Sequence, residues 1–193
     1  MAFDEVQFTI QTHNKNKYEV FKPYPPDPPE RLEKFRQEFI YELGEDNEKT
    51  FPNYTYNCHG LTLIGRIGLF ASEDETENNI FNLLSDIGFR RKTAIADITI
   101  EKFSFANNFQ PGDIVIYKQL LKQEDETIVS PVIFNISHTC TIINVSEVQT
   151  TGKAKIIVLS KFGAQGEFFH DLDHPFILDK YGKNIEIWSN SKQ

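Results

Sequence analysis

The chain has 193 residues, 39% of them hydrophobic and 25% charged, and it carries 17 Phe, 7 Tyr and one Trp. That is room for one compact domain with a sizeable core, and so aromatic a composition excludes an intrinsically disordered chain. A net charge of −8 argues against a general DNA or RNA binder, because phosphate binding rests on clustered Lys and Arg.

No apolar run approaches the roughly 20 residues of a membrane-spanning helix. The opening Met1-Ala2-Phe3-Asp4-Glu5-Val6 lacks the basic and apolar stretches of a secretory signal. A cytoplasmic protein with no membrane association is therefore expected, although delivery out of the cell as an effector stays open. Two cysteines, Cys58 and Cys140, are too few for a disulfide framework. The Asn-x-Ser/Thr triplets at Asn53, Asn135 and Asn144 carry no weight without a secretory signal.

Residues 1–29 read as an extended, proline-rich N-terminal arm ahead of a single domain over 30–193. Val6, Phe8 and Ile10 alternate as in a short strand. The run from Lys22 to Pro29 is held extended by its prolines, either as a stiff connector or as a polyproline ligand for a partner domain. Glu30–Leu43 is predicted to be a helix, with Leu32, Phe35, Phe39, Ile40 and Leu43 on one face and Gly44 at its end. A second helix should open near Cys58 and run towards Ala71, with Leu61, Ile64, Ile67 and Leu69 inward. A third covers Glu77–Ile87 and stops at Gly88, leaving Arg90-Arg91-Lys92 as a solvated charge run. Strands follow around Ile98–Phe103, Ile114–Tyr117, Thr139–Val145, Ile156–Leu159, Glu167–His170 and Ile185–Trp188, rich in β-branched and aromatic residues. Gln119–Asn135 reads as a long hairpin connection. Helices first and strands later predict an α+β domain, N-terminal helices packed on an antiparallel sheet.

The chemistry concentrates in Tyr56-Asn57-Cys58-His59-Gly60-Leu61-Thr62. A cysteine in the first turn of a helix lies beside unpaired N–H groups that favour the thiolate and that could stabilise an oxyanion. A small buried cysteine is the competing reading. His59 is adjacent, but successive helical residues diverge by about 100°, which makes it a poor partner. His138 opens an apolar strand and is the better candidate base, and the strand Lys155–Ser160 follows it. Cysteine on a helix, histidine on a strand and a polar residue on the next strand is an order that can build a triad.

These segments resemble a known superfamily. Asn57-Cys58-His59-Gly60-Leu61, then Pro111-Gly112-Asp113-Ile114-Val115, then Ser137-His138 and a strand are similar to the NlpC/P60 and CHAP branch of the papain-like cysteine peptidases. Leu159-Ser160-Lys161-Phe162-Gly163 also resembles the Asn-Ser-Trp-Gly stretch of papain. The likeness spans roughly residues 57–169. It implies a papain-like fold, Cys58 as nucleophile, His138 as general base and Ser160, with Lys161 beside it, at the third position. Ser160 departs from the His, Asn, Gln or acid usual there, and His59 replaces a small serine. Tyr54 or Tyr56 would lend a hydroxyl to the oxyanion site. The implied function is a cysteine-dependent hydrolase, a peptidase or amidase, acting on an amide in a peptide or a peptidoglycan stem, with no cofactor or metal.

The alternative is a non-catalytic interaction module, or an immunity or inhibitor protein, on the same fold with a protein partner. A zinc site from Cys58, His59, His138 and Cys140 lacks the usual paired spacing. His170-Asp171-Leu172-Asp173-His174 reads as a polar turn, and Phe162–Gly166 lacks the lysine and serine of a phosphate loop.

Overall fold

The computed structural model describes residues 6–21, 28–52, 56–66, 69–70, 76–99, 109–120, 134–148, 153–163 and 165–190. Nine strands and four helices occur among them, in the order β1 (Val6–Gln11), β2 (Lys17–Phe21), α1 (Pro29–Leu43), α2 (Cys58–Ile64), β3 (Leu69–Phe70), α3 (Thr76–Asp86), β4 (Phe89–Ile95), β5 (Ile114–Leu120), β6 (Phe134–Val148), β7 (Lys153–Lys161), β8 (Glu167–Asp171), α4 (Pro175–Tyr181) and β9 (Asn184–Asn190). The last six strands, β4 to β9, form one antiparallel sheet in the order β4-β9-β5-β6-β7-β8, and β1-β2-β3 form a small second sheet. The architecture is α+β with an antiparallel six-stranded sheet, as the order of patterns predicted.

Alternation along the strands puts an apolar row on each face. One face carries Val115, Tyr117, Cys140, Ile142, Val158 and Phe168 and is covered by Phe39 and Leu43 of α1 and Ile177 and Leu178 of α4. The other carries Ile114, Ile116 and Trp188 and is covered by Leu63 of α2, by Ile80, Leu83 and Leu84 of α3, and by Tyr18 and Val20 of β2. Helices are therefore placed on both faces, not segregated to one.

Several expectations change here. Residues 6–21 are more than an arm: β1 and β2 pair as a hairpin, and β2 contributes to the second core. The proline run falls largely at residues 22–27, outside the described residues. α2 stops at Ile64, well short of Ala71, because Gly65 adopts the left-handed conformation (φ 67°) and Arg66 follows it there (φ 72°). Arg90-Arg91-Lys92 is solvated as expected, but it lies inside the edge strand β4, where charge also discourages edge-to-edge pairing. Ile98 lies in a turn, and Ile100 and Phe103 fall outside the described residues, as does most of Gln119–Asn135. The segment after His174 is not only a turn: Pro175 starts α4, in the first helical turn where a missing N–H costs nothing.

Candidate active site

α2 begins at Cys58 because Asn57 caps it: the Asn57 side-chain oxygen accepts from the Gly60 N–H at 2.7 Å. The helix lies against β6. β7 pairs with β6 only as far as Cys140↔Ser160, so the stretch of β6 before Cys140 has β5 on one side and no β7 on the other. Cys58 comes in at this gap, close enough for the His138 imidazole to act on its thiol.

A bulge aims His138. Tyr117 faces His138 and Lys118 faces Ile136, so Ser137 is the extra residue on β6. Its hydroxyl lies 3.0 Å from the Tyr117 carbonyl and also bonds the Tyr181 carbonyl. Tyr181, at the end of α4, stacks on the His138 ring with centroids 4.4 Å apart, and Phe162 stacks on it at 5.1 Å. Aromatic contact thus sets the plane of the imidazole. His138 is 1% exposed, and its Nε2 is buried with no hydrogen-bond partner among the described residues.

The ring of His59 also reaches Cys58. Helical divergence predicted a poor partner, but Cys58 and His59 occupy the first turn, and His59 turns down onto β6. Its Nδ1 is 3.0 Å from Thr139 Oγ1, Thr139 Oγ1 is 3.2 Å from Thr62 Oγ1, and the Thr62 hydroxyl donates to the Cys58 carbonyl at 2.9 Å. Desolvation alone would push the Cys58 thiol up. The charges of His59 and His138, together with hydrogen bonds from both rings, outweigh it and hold the thiol well below the usual range.

Ser160 is bonded away from His138. It sits opposite Cys140, two positions deeper than His138, and continuing that antiparallel register puts Phe162 across from His138. Ser160 Oγ instead bonds His170 Nε2 at 2.7 Å. The Nδ1 of His170 lies 2.8 Å from the Asp171 carbonyl, an acceptor only, so Nδ1 carries the proton and Nε2 accepts from Ser160. Burial drives His170 down to about 3 against that backbone bond. Cys140 is fully buried, and burial pushes its thiol far up despite contacts with Ser160 and Tyr117. Both cysteines are free.

Lys161, on the opposite face of β7 from Ser160, is fully buried at the last residue of the strand. Its ammonium donates to the Gln165 carbonyl and lies 4.8 Å above the Tyr56 ring. Desolvation lowers it to about 8, against the pull of Glu167 and of Cys58. The Tyr56 hydroxyl is directed to Glu167, not to an oxyanion position, and the same carboxylate takes Arg66 Nε at 2.6 Å and its terminal nitrogen at 2.8 Å. Tyr54 lies outside the described residues. Asp113 of the Pro-Gly-Asp turn is structural: it is fully buried, accepting from Ser189 at 2.6 Å and from the Gln110 N–H at 3.0 Å.

The structure thus brings His59 and His138 to Cys58, sets Lys161 over the Tyr56 ring within electrostatic reach of that sulfur, and leaves Ser160 in a separate network. Tyr181, Phe162 and Thr139 were missed. Phe162 carried one signal, the register of the strand after Ser160, but Tyr181 and Thr139 carried none. Among the described residues no three His, Cys, Asp or Glu side chains are grouped to hold a metal ion, and no helix is long and apolar enough to cross a membrane. No protein-family model, curated protein or solved structure matches the chain.

Proposed function

We propose that this chain is a cysteine-dependent hydrolase of papain-like type, cleaving an amide bond with Cys58 as nucleophile and His138 as general base. The observation that carries this reading is a half-buried thiol at the start of α2 that an imidazole from the central strand β6 helps to hold well below its ordinary range. The order of the elements supports it too: cysteine helix, histidine strand, then a further antiparallel strand, as in the superfamily that Asn57–Leu61, Pro111–Val115 and Ser137-His138 resemble. In this mechanism the thiolate attacks the carbonyl carbon and the amine departs with the proton that left the thiol. Water then hydrolyses the thioester, giving one proton to His138, which returns it to the sulfur. The substrate class is an amide in a peptide or a peptidoglycan stem.

One observation favours the alternative, a binding module on the same fold. Among the described residues the His138 Nε2 lacks the partner that would hold an imidazolium, and a papain-type triad relies on such a group. Incubation with a panel of peptides and peptidoglycan-stem fragments separates the two. A hydrolase releases amine, and an acyl adduct on Cys58 is trapped by acid quench and mass spectrometry. Cys58→Ala abolishes both. Absence of turnover and adduct on every substrate, with Cys58 still reactive, would favour the binding module.

A further inference from the structure

Two imidazoles flank one thiol, and they are held differently. His138 is fixed by stacking on Phe162 and Tyr181, with its outer nitrogen unpaired among the described residues. His59 is fixed by hydrogen bonds that run in one direction. The Cys58 carbonyl can only accept, so the single proton of the Thr62 hydroxyl is spent on it. Thr139 must then donate to Thr62, which leaves the Thr139 oxygen to accept from His59 Nδ1–H. With its proton on Nδ1, the neutral His59 ring has its acceptor on Nε2. The chain starts and ends at Cys58: its last acceptor is the backbone of the residue whose sulfur the ring faces. Thr139 is fully buried and His59 is 7% exposed, so water competes little for these bonds.

We infer that His59, oriented by Thr139 and Thr62, is the residue that takes the proton of Cys58. In this step the S–H bond breaks and an N–H bond forms on His59 Nε2. A neutral pair becomes thiolate and imidazolium, and both ring nitrogens then donate, one to sulfur and one to Thr139. Among the described residues His138 has no such partner for its Nε2. It is left to serve the water in the second half of the reaction, while the departing amine takes the first proton back from His59. The inference rests on Cys58 being the nucleophile. Other groups within electrostatic reach of that sulfur are Lys161 of β7, Tyr181 of α4 and Cys140 of β6. Lys161 feels the charge of that sulfur only as a minor influence beside burial and Glu167, and the two imidazoles are what lower the thiol. Thr139 is a positioning residue here, not a catalytic one.

The test is the pH dependence of iodoacetamide alkylation at Cys58, read by mass spectrometry on the full chain. Variants are His59→Gln, His138→Gln, Thr139→Val and Thr139→Ser, each checked for native unfolding behaviour. His59→Gln should move the alkylation inflection upward by about one pH unit or more. The rate on the acidic side should then fall about ten-fold or more, because the thiolate fraction there drops by a decade for each pH unit the inflection rises. Thr139→Val should move it the same way by less, and Thr139→Ser should restore it, which a purely packing role for Thr139 would not produce. An inflection unmoved in His59→Gln and raised in His138→Gln would overturn the inference and leave the hydrolase reading intact. A raised inflection in His59→Gln, in a chain that hydrolyses no amide, would uphold the ion pair and overturn the hydrolase reading.

Discussion

Cys58 and Cys140 are the same chemical group in opposite surroundings. Two imidazoles hold the first thiol low, and full burial pushes the second up. Alkylation under native conditions should therefore modify Cys58 alone, and Cys140 only after the chain unfolds. Mass spectrometry of the digested protein checks it, and early labelling of Cys140 would contradict the burial argument. Lys161 makes a second residue-scale prediction. Below about pH 8 the lysine is charged in both the folded and the unfolded chain, and the cost of burying that charge is fully present. Between about 8 and 10.5 the unfolded chain binds a proton that the folded one does not, so this group's contribution to stability rises with pH. Lys161→Met should accordingly be more stable than the parent by roughly 2 kcal/mol at neutral pH, after the loss of the Gln165 bond is counted. That advantage should fade as the pH rises through this window, as urea unfolding at two pH values would measure.

At the scale of elements, the β1–β2 hairpin is tied to the end of α3 by one carboxylate. Asp86 accepts from Thr12 at 2.7 Å, Asn14 at 2.6 Å, Asn16 at 2.9 Å and Tyr18 at 2.9 Å. The Thr12 bond and the other three outweigh desolvation and hold Asp86 far below the usual carboxylate range. Its stabilisation is present at neutral pH and is lost only as the pH falls below the unfolded value of about 4 towards the depressed folded one. Asp86→Ala should cost about 3 kcal/mol, since four donors lose their acceptor at once. Faster amide exchange in β1 and β2 than in β5 and β6 would locate the damage. If exchange rises evenly across the chain instead, the hairpin is not a separable unit.

The whole molecule places the site by docking the chain ahead of α2 on the far edge of the sheet. Lys49 N–H donates to the Glu167 carbonyl at 2.7 Å, Glu167 N–H donates to Thr50 Oγ1 at 2.9 Å, and Glu48 bridges to Phe168. Gly166 permits that approach, because a Cβ there would sit 1.9 Å from the Thr50 carbonyl oxygen. Gly166→Ala should cost about 1–3 kcal/mol and also change the alkylation rate of Cys58, which lies a few residues along. An unchanged rate in a folded Gly166→Ala chain would mean that the Asn57 cap alone places the cysteine.

Much of this was legible in local sequence. Apolar spacing from Leu32 to Leu43 marks α1, Gly44 and Gly88 mark helix ends, and β-branched runs mark the central strands, because helix and strand periods are properties of the chain itself; the stop at Gly65 was not read. The Asn57-Cys58 start of α2 was legible for the same reason, since a cap acts within a few residues. What bonds His138 and His59 was not. One extra residue at Ser137 decides where His138 points, a register of β6 on β7 puts Phe162 and not Ser160 beside it, and Tyr181 arrives from a helix 43 positions away. Thr139 meets His59 across 80 residues. Such contacts are set by strand register and by packing between distant elements, and a one-residue slip would exchange every partner. The sequence alone therefore determined which groups could do chemistry, and only the tertiary structure decided which of them face the thiol.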